Sequence, residues 1–170
     1  MRASWLLLQN SEVGDHLAQI YEKLGKLNEA IRMYALALNA ERPDEKTRER
    51  LSALLGDERQ VTQVVTMHRD DLRRERTIAV DGRGPAGAKA DVLLLLGRRS
   101  VEDVKFVEGD DRLRSLADTL RTIKYEAVFP DDAPAKIVRR GTLSCSSEQD
   151  AISCHLLLLL PHEAQLAQQK

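Results

Sequence analysis

Neither sign of charge prevails in this chain: 26 Lys and Arg stand against 27 Asp and Glu, and a division near Gly56 leaves both parts close to neutral. That excludes the field by which a protein draws in a polyanion. Where arginines do gather, from Arg69 to Arg76, they alternate with Asp70, Asp71 and Glu75. This is the pattern of a solvated helix face rather than a phosphate-binding stripe, so no nucleic-acid partner is expected. Long apolar runs are missing too. The five residues Leu156 to Leu160 fall far short of the roughly twenty that span a bilayer. Trp5-Leu6-Leu7-Leu8, after Arg2, is shorter than the roughly seven to fifteen apolar residues of a secretion signal. Aromatics make up only 4%, yet 42% hydrophobic and 31% charged residues are the composition of a soluble globular protein. A chain of 170 residues then holds one large domain or two small ones, and two modest cores are expected.

Catalytic motifs are also wanting. No serine sits in a nucleophile elbow, no His-Glu-x-x-His occurs, and His16, His68, His155 and His162 are scattered. "HRDDL", from His68 to Leu72, has neither the glycine-rich loop nor the Asp-Phe-Gly that would accompany a kinase catalytic loop. "DGRGPAGAK", from Asp81 to Lys89, lacks the Gly-Lys-Ser/Thr ending of a phosphate loop, and Pro85 removes a backbone donor. It marks a turn or flexible loop instead. Asp110-Asp111 and Asp131-Asp132 lie at a helix start or beside prolines, where capping and solvation account for them. No enzyme activity, cofactor or metal is expected, since catalysis needs convergent groups.

What the chain does have is periodicity. Leu17, Ile20, Tyr21 and Leu24 fall at i, i+3, i+4 and i+7, the spacing of one helical face, and Gly25 closes the helix. The pattern restarts at Leu27, Ala30, Ile31, Tyr34, Ala37 and Leu38 and stops at Pro43. Two antiparallel helices follow, with Ala30 and Ala37 letting them approach closely. Asn10 or Ser11 is the expected N-cap of the first, and Trp5 to Leu8 reads as the last turns of an earlier helix. Asp44 to Leu55, with Leu51, Leu54 and Leu55 among many charges, reads as a helix capping the open end of a stack.

Residues 11–44 resemble the tetratricopeptide repeat, a 34-residue helix-turn-helix unit, through Leu17, Ala18, Tyr21, Gly25, Leu27, Ala30, Tyr34, Ala37 and Pro43. Gly14 departs from the pattern, standing where the family usually has a large aromatic, and Pro43 falls one residue late. The resemblance implies that those nine residues pack the repeat and that a groove along the first helices holds a peptide. The candidate contacts are Asp15, Gln19, Glu22 and Lys23. Clamping of a C-terminal carboxylate is disfavoured, because Asp15 and Gln19 occupy positions where that version of the family has lysine and asparagine.

Glu58 to Arg74 keeps the helical spacing through Val61, Val64, Val65, His68 and Leu72 and predicts a long connecting helix, with His68 as a packed residue on its apolar stripe. The period then changes. A short strand at Thr77 to Val80, strands at Ala90 to Leu96 and Val101 to Val107, a helix from Asp110 to Lys124, and a hairpin of Ile137 to Cys145 with Ile152 to Leu160 are expected. Phe129-Pro130 and Pro134 end the helical region. The fold class is α+β: tetratricopeptide-type antiparallel helices, a long connecting helix, then a small, mostly antiparallel sheet with one packed helix. The boundaries are 1–56 for the helical segment, 57–75 for the connector, 76–163 for the α+β domain and 164–170 for a tail. Leu156 to Leu160, apolar on both faces, requires a central strand or a covered second face.

If Gln149 and Asp150 form the hairpin tip, Cys145 faces Cys154, Leu143 faces Leu156 and Gly141 faces Leu158, all on one side of the sheet. Two readings of the cysteines stand at this point: a cross-strand disulfide in an oxidising compartment, or two buried thiols in a reduced one. Zinc is a poor third, since two cysteines and His155 do not supply four ligands.

Through the run from Gly109 by way of Leu113, Ala117 and Leu120 to Phe129-Pro130 and the following strand, residues 76–161 are more distantly similar to the C-terminal domain of TonB-like energy transducers, which implies a periplasmic module that recognises partners. The whole chain also looks like the C-terminal tail of large secreted bacterial proteins that join a transglutaminase-like region to such repeats. The sequence therefore predicts a non-catalytic interaction module with a protein or peptide partner; the alternative is a capping piece of a larger secreted protein. Under the second, the half-repeat before Leu17 places the start of the array upstream. Localisation divides the same way, periplasmic or secreted for a disulfide-bonded fragment and cytoplasmic otherwise.

Overall fold

The computed structural model describes residues 4–5, 8–124, 136–148, 151–161 and 163. The expected hairpin tip at Gln149 and Asp150, Leu6 and Leu7, the region of Phe129, Asp131, Asp132 and Pro134, His162 and the tail lie outside those residues. The chain divides into two compact units, Met1–Glu75 and Arg76–Lys170. The first is helical, the second a five-stranded antiparallel sheet with helical turns packed on it.

In the helical unit, α1 (Ser11–Lys23) begins at Asn10, whose side chain accepts from the backbone of Glu12 and Val13 and so satisfies donors that a helix start leaves open. Gly25, at φ 70°, reverses the chain, and Lys26 N–H returns to Tyr21 C=O at 2.9 Å. Then come α2 (Leu27–Asn39), α3 (Glu45–Leu55), α4 (Glu58–Met67) and α5 (Asp71–Glu75). Asp44 and Asp57 cap α3 and α4 through their side chains, and Gly56, at φ 75°, ends α3. Tyr34, Leu36, Leu51 and Val61 are fully buried in one core, with Val64, Val65 and Leu72 packed against it.

One expectation changes here. The helix expected from Glu58 to Arg74 is interrupted after Met67, where His68 Nδ1 meets Asp71 Oδ2 at 2.8 Å. The resulting turn lets Val61 and Leu72 reach the same core, which a straight rod of about 25 Å would separate. This segment is thus packed into the helical unit, not strung between two domains. The His68 hydrogen bond, followed by the Arg32 charge, also holds the Asp71 carboxyl below its usual range. Ser4, Trp5 and Leu8 are helical, as expected of an upstream turn, but the sequence did not show what fills the place of the aromatic missing at Gly14: the Trp5 indole, 5% exposed, lies over it. A β-carbon added at Gly14 would come within 2.7 Å of the ring and 2.9 Å of Ala37 Cβ.

In the sheet unit the strands β1 (Thr77–Val80), β2 (Lys89–Leu96), β3 (Val101–Gly109), β4 (Ile137–Glu148) and β5 (Ala151–Leu158) are ordered β1-β5-β4-β2-β3. The expected register holds: Cys145 pairs with Cys154, Leu143 with Leu156 and Gly141 with Leu158. β5 is paired on both sides, by β1 and β4, which accounts for its apolar composition. Ala90, Val92, Leu94, Leu143, Cys154 and Leu156 share the buried face. The helix expected over Asp110 to Lys124 divides into a 3-10 turn at Asp111–Leu116 and a short α6 at Ala117–Arg121. Leu113, Leu116 and Leu120 are buried there all the same, because their spacing suits either winding.

The cysteine pair lies at disulfide distance and no free cysteine remains. The glycine-rich loop runs directly over it. Gly87 N–H donates to Cys145 C=O at 2.8 Å, and a β-carbon at Gly84 would come within 2.6 Å of Cys145 Sγ and 2.8 Å of Leu113. Only a residue without a side chain fits between the sulfur and the leucine. Replacing both cysteines by alanine is expected to lower the stability of the sheet unit by about 2–3 kcal/mol. The check is urea unfolding of oxidised wild type and variant; coincident midpoints would contradict it.

Candidate functional site

The α1 face opposite its core contacts, together with α3, frames an open depression of about 450 Å³. Gln19, Glu22 and Lys23 line it from α1, Arg50, Ala53 and Leu54 from α3, and Tyr34 from α2. Their placement follows from helix spacing: Gln19, Glu22 and Lys23 fall three and four residues apart, as do Arg50, Ala53 and Leu54, so each set shares a face.

Two hydrogen-bond networks hold this lining. Asp15, buried at 7% exposure, accepts from Thr47 Oγ1 at 3.0 Å, from Arg50 Nη1 through both oxygens at 2.8 and 2.7 Å, and from Gln19 Nε2 at 2.6 Å. The second is shorter. Tyr34, fully buried, donates its hydroxyl to Glu22 Oε2 at 2.8 Å. Burial first, and then this bond to a carboxylate, push the Tyr34 hydroxyl well above the ordinary tyrosine range, so it stays a donor throughout the pH range in which the protein is handled.

Of the four residues expected to contact a ligand, Gln19, Glu22 and Lys23 therefore meet at one depression. Asp15 does not line it; its carboxylate is turned inward and occupied, because Thr47 brings a buried hydroxyl that needs an acceptor. Arg50, Ala53 and Leu54 were missed, since α3 reads as a polar cap when taken by itself. The signal was available: a 34-residue step from Gln19 lands on Ala53. Among the nine residues expected to pack the repeat, Leu17, Ala18, Ala30, Tyr34 and Ala37 are buried and Tyr21 is half-buried. Gly25 is exposed and serves the turn by its backbone. Leu27 and Pro43 do not pack: Leu27 is 51% exposed as the first residue of α2, beyond the core, and Pro43 is exposed in the loop before α3.

Among the described residues no group of three or more metal-ligating side chains converges, and no helix is long and apolar enough to cross a membrane. His155 is half-buried, opposite Ser144 in the sheet. Protein-family models, curated proteins and solved structures yield no match to this chain.

Proposed function

We propose that the chain is a non-catalytic interaction module whose helical unit holds a peptide segment of a partner protein in the depression between α1 and α3. One observation carries this reading. Residues from three helices surround an open concavity that has both apolar walls (Ala53, Leu54) and polar groups (Gln19, Glu22, Arg50), and each of these three polar side chains is held by a hydrogen-bond partner. Sites of this mixed kind fix a ligand by a few placed polar groups against apolar surface. Pre-set side chains also lower the ordering cost of binding, and the resemblance of residues 11–44 to the tetratricopeptide repeat points to the same groove.

The test is a random peptide library selected against the protein, followed by titration of the winning peptide into wild type and Ala53→Trp. Ala53 is exposed, so the indole would fill the depression without entering the core. A loss of at least about tenfold in affinity with an unchanged unfolding midpoint is expected, since blocking a central contact removes 1.4 kcal/mol or more, roughly a factor of ten. Equal affinity in the two proteins would sink the reading.

A second reading, as one end of a longer helical array, is favoured by Ile20, Leu24 and Leu27, which are 39%, 64% and 51% exposed at the hairpin end of α1 and α2. Apolar side chains of this size in an exposed group suit another helix pair stacked on them.

A further inference from the structure

Resting on the groove reading, we propose that the depression selects a neutral carboxamide, the side chain of Asn or Gln in a partner peptide, over acidic or basic side chains. The argument begins with charge. Asp15 and Glu22 contribute two negative charges in and directly behind the lining, and Lys23 and Arg50 two positive ones. The sum is zero. An acidic or basic side chain entering this space would bring a charge for which the lining holds no surplus of the opposite sign, whereas a neutral group upsets no balance.

Hydrogen-bonding capacity points the same way. Arg50 spends Nη1 on Asp15, leaving Nη2 and Nε without a partner among the described residues. Glu22 spends Oε2 on Tyr34 and keeps Oε1. The lining thus offers a held donor group in Arg50 and held acceptors in Glu22 Oε1 and the Gln19 carbonyl oxygen, each fixed from behind, with the Lys23 ammonium at its side. A carboxamide presents the complement, a C=O for the guanidinium and an NH2 for the carboxylate, while a carboxylate answers only the donors Arg50 and Lys23 and is repelled by Glu22, and an ammonium answers only the acceptors. A peptide terminus is a poorer fit: the lining residues lie within helices, whose backbone N–H groups are already engaged, so no backbone nest exists to take a terminal carboxylate.

The experiment uses the full chain, labelled with 15N, and three probes whose C-termini are blocked as methyl esters so that only the first carries a primary carboxamide, the methyl esters of N-acetyl-glutamine, of N-acetyl-glutamate with its side-chain carboxylate free and of N-acetyl-lysine, titrated separately at pH 7. Shifts of the backbone amides of residues 19–23 and 50–54 report binding. The glutamine probe is expected to saturate at a concentration at least about tenfold below the other two, since each of them forfeits a hydrogen bond to a charged group. Glu22→Gln makes the lining net positive and should move the preference toward the glutamate probe. Equal or tighter binding of the glutamate or lysine probe to wild type at these amides would overturn the carboxamide inference and leave the groove reading standing. Silence of all three overturns the inference as well, and the Ala53→Trp comparison with the selected peptide then decides the groove reading on its own.

Discussion

Trp5→Ala is expected to lower the stability of the helical unit by about 3–5 kcal/mol, the range for truncating a buried large aromatic. The indole is 5% exposed and lies against Gly14, with Ala37 on the other side of that position, and neither residue has more than a methyl group to relax into the space it leaves. Collapse would require α1 and α2 themselves to shift. Trp5 Nε1 also donates to Glu75 Oε2 at 2.7 Å, and Glu75 takes Arg32 through its other oxygen, so the indole ties the helical residues before α1 to α5. Urea unfolding followed by helical circular dichroism measures the loss, and Trp5→Phe should recover most of the packing but not the hydrogen bond. A sharper check is compensation. Gly14→Phe alone should destabilise by overpacking, about 1–3 kcal/mol, yet in the Trp5→Ala background it should restore part of the lost stability. If the two changes simply add, Trp5 does not fill the place of a side chain missing at Gly14.

Glu163→Ala is expected to cost the sheet unit about 3 kcal/mol, because it strands a buried guanidinium. Arg76 is 5% exposed and donates to Leu158 C=O at 2.8 Å and to both oxygens of Glu163, at 2.7 and 3.2 Å. Glu163 Oε2 also accepts Leu160 N–H at 2.7 Å. The carboxylate therefore ties the residue before β1 to the segment after β5. Glu163 is about one-third exposed, at 34% for its side chain, which places the cost at the low end of the range for breaking such pairs. Glu163→Gln keeps an acceptor and should lose less. Urea midpoints measured with the cysteines oxidised separate the three proteins, and equal midpoints for wild type and Glu163→Ala would show that water replaces the carboxylate.

The parts of this fold legible in the sequence are those set by local period. Alternation in Ile137 to Cys145 and Ile152 to Leu160 determines which side chains share a face, and one choice of tip then aligns Cys145 with Cys154, as found. Helical spacing likewise locates α1 and α2. What escaped depends on residues far apart in sequence. Nothing near Gly14 announces that its missing ring comes from Trp5, and nothing near Glu58 to Arg74 says that His68 and Asp71 interrupt the helix. Half of the candidate groove was similarly hidden, because Arg50 and Ala53 look like solvated positions until α3 is set beside α1. Asp15 misled for the same reason: its exposure pattern is that of a ligand contact, and only the approach of Thr47 and Arg50 turns it inward.

Gly84 has a consequence for the chemistry of the cysteine pair. With Cys145 and Cys154 only 3% and 1% exposed and the loop seated against both sulfurs, a glutathione molecule or an oxidoreductase has no line of approach once folding is finished. Thiol exchange needs access to the sulfur. Oxidation or reduction of this pair therefore requires the loop to open first, so exchange in the folded chain proceeds only as fast as that opening allows.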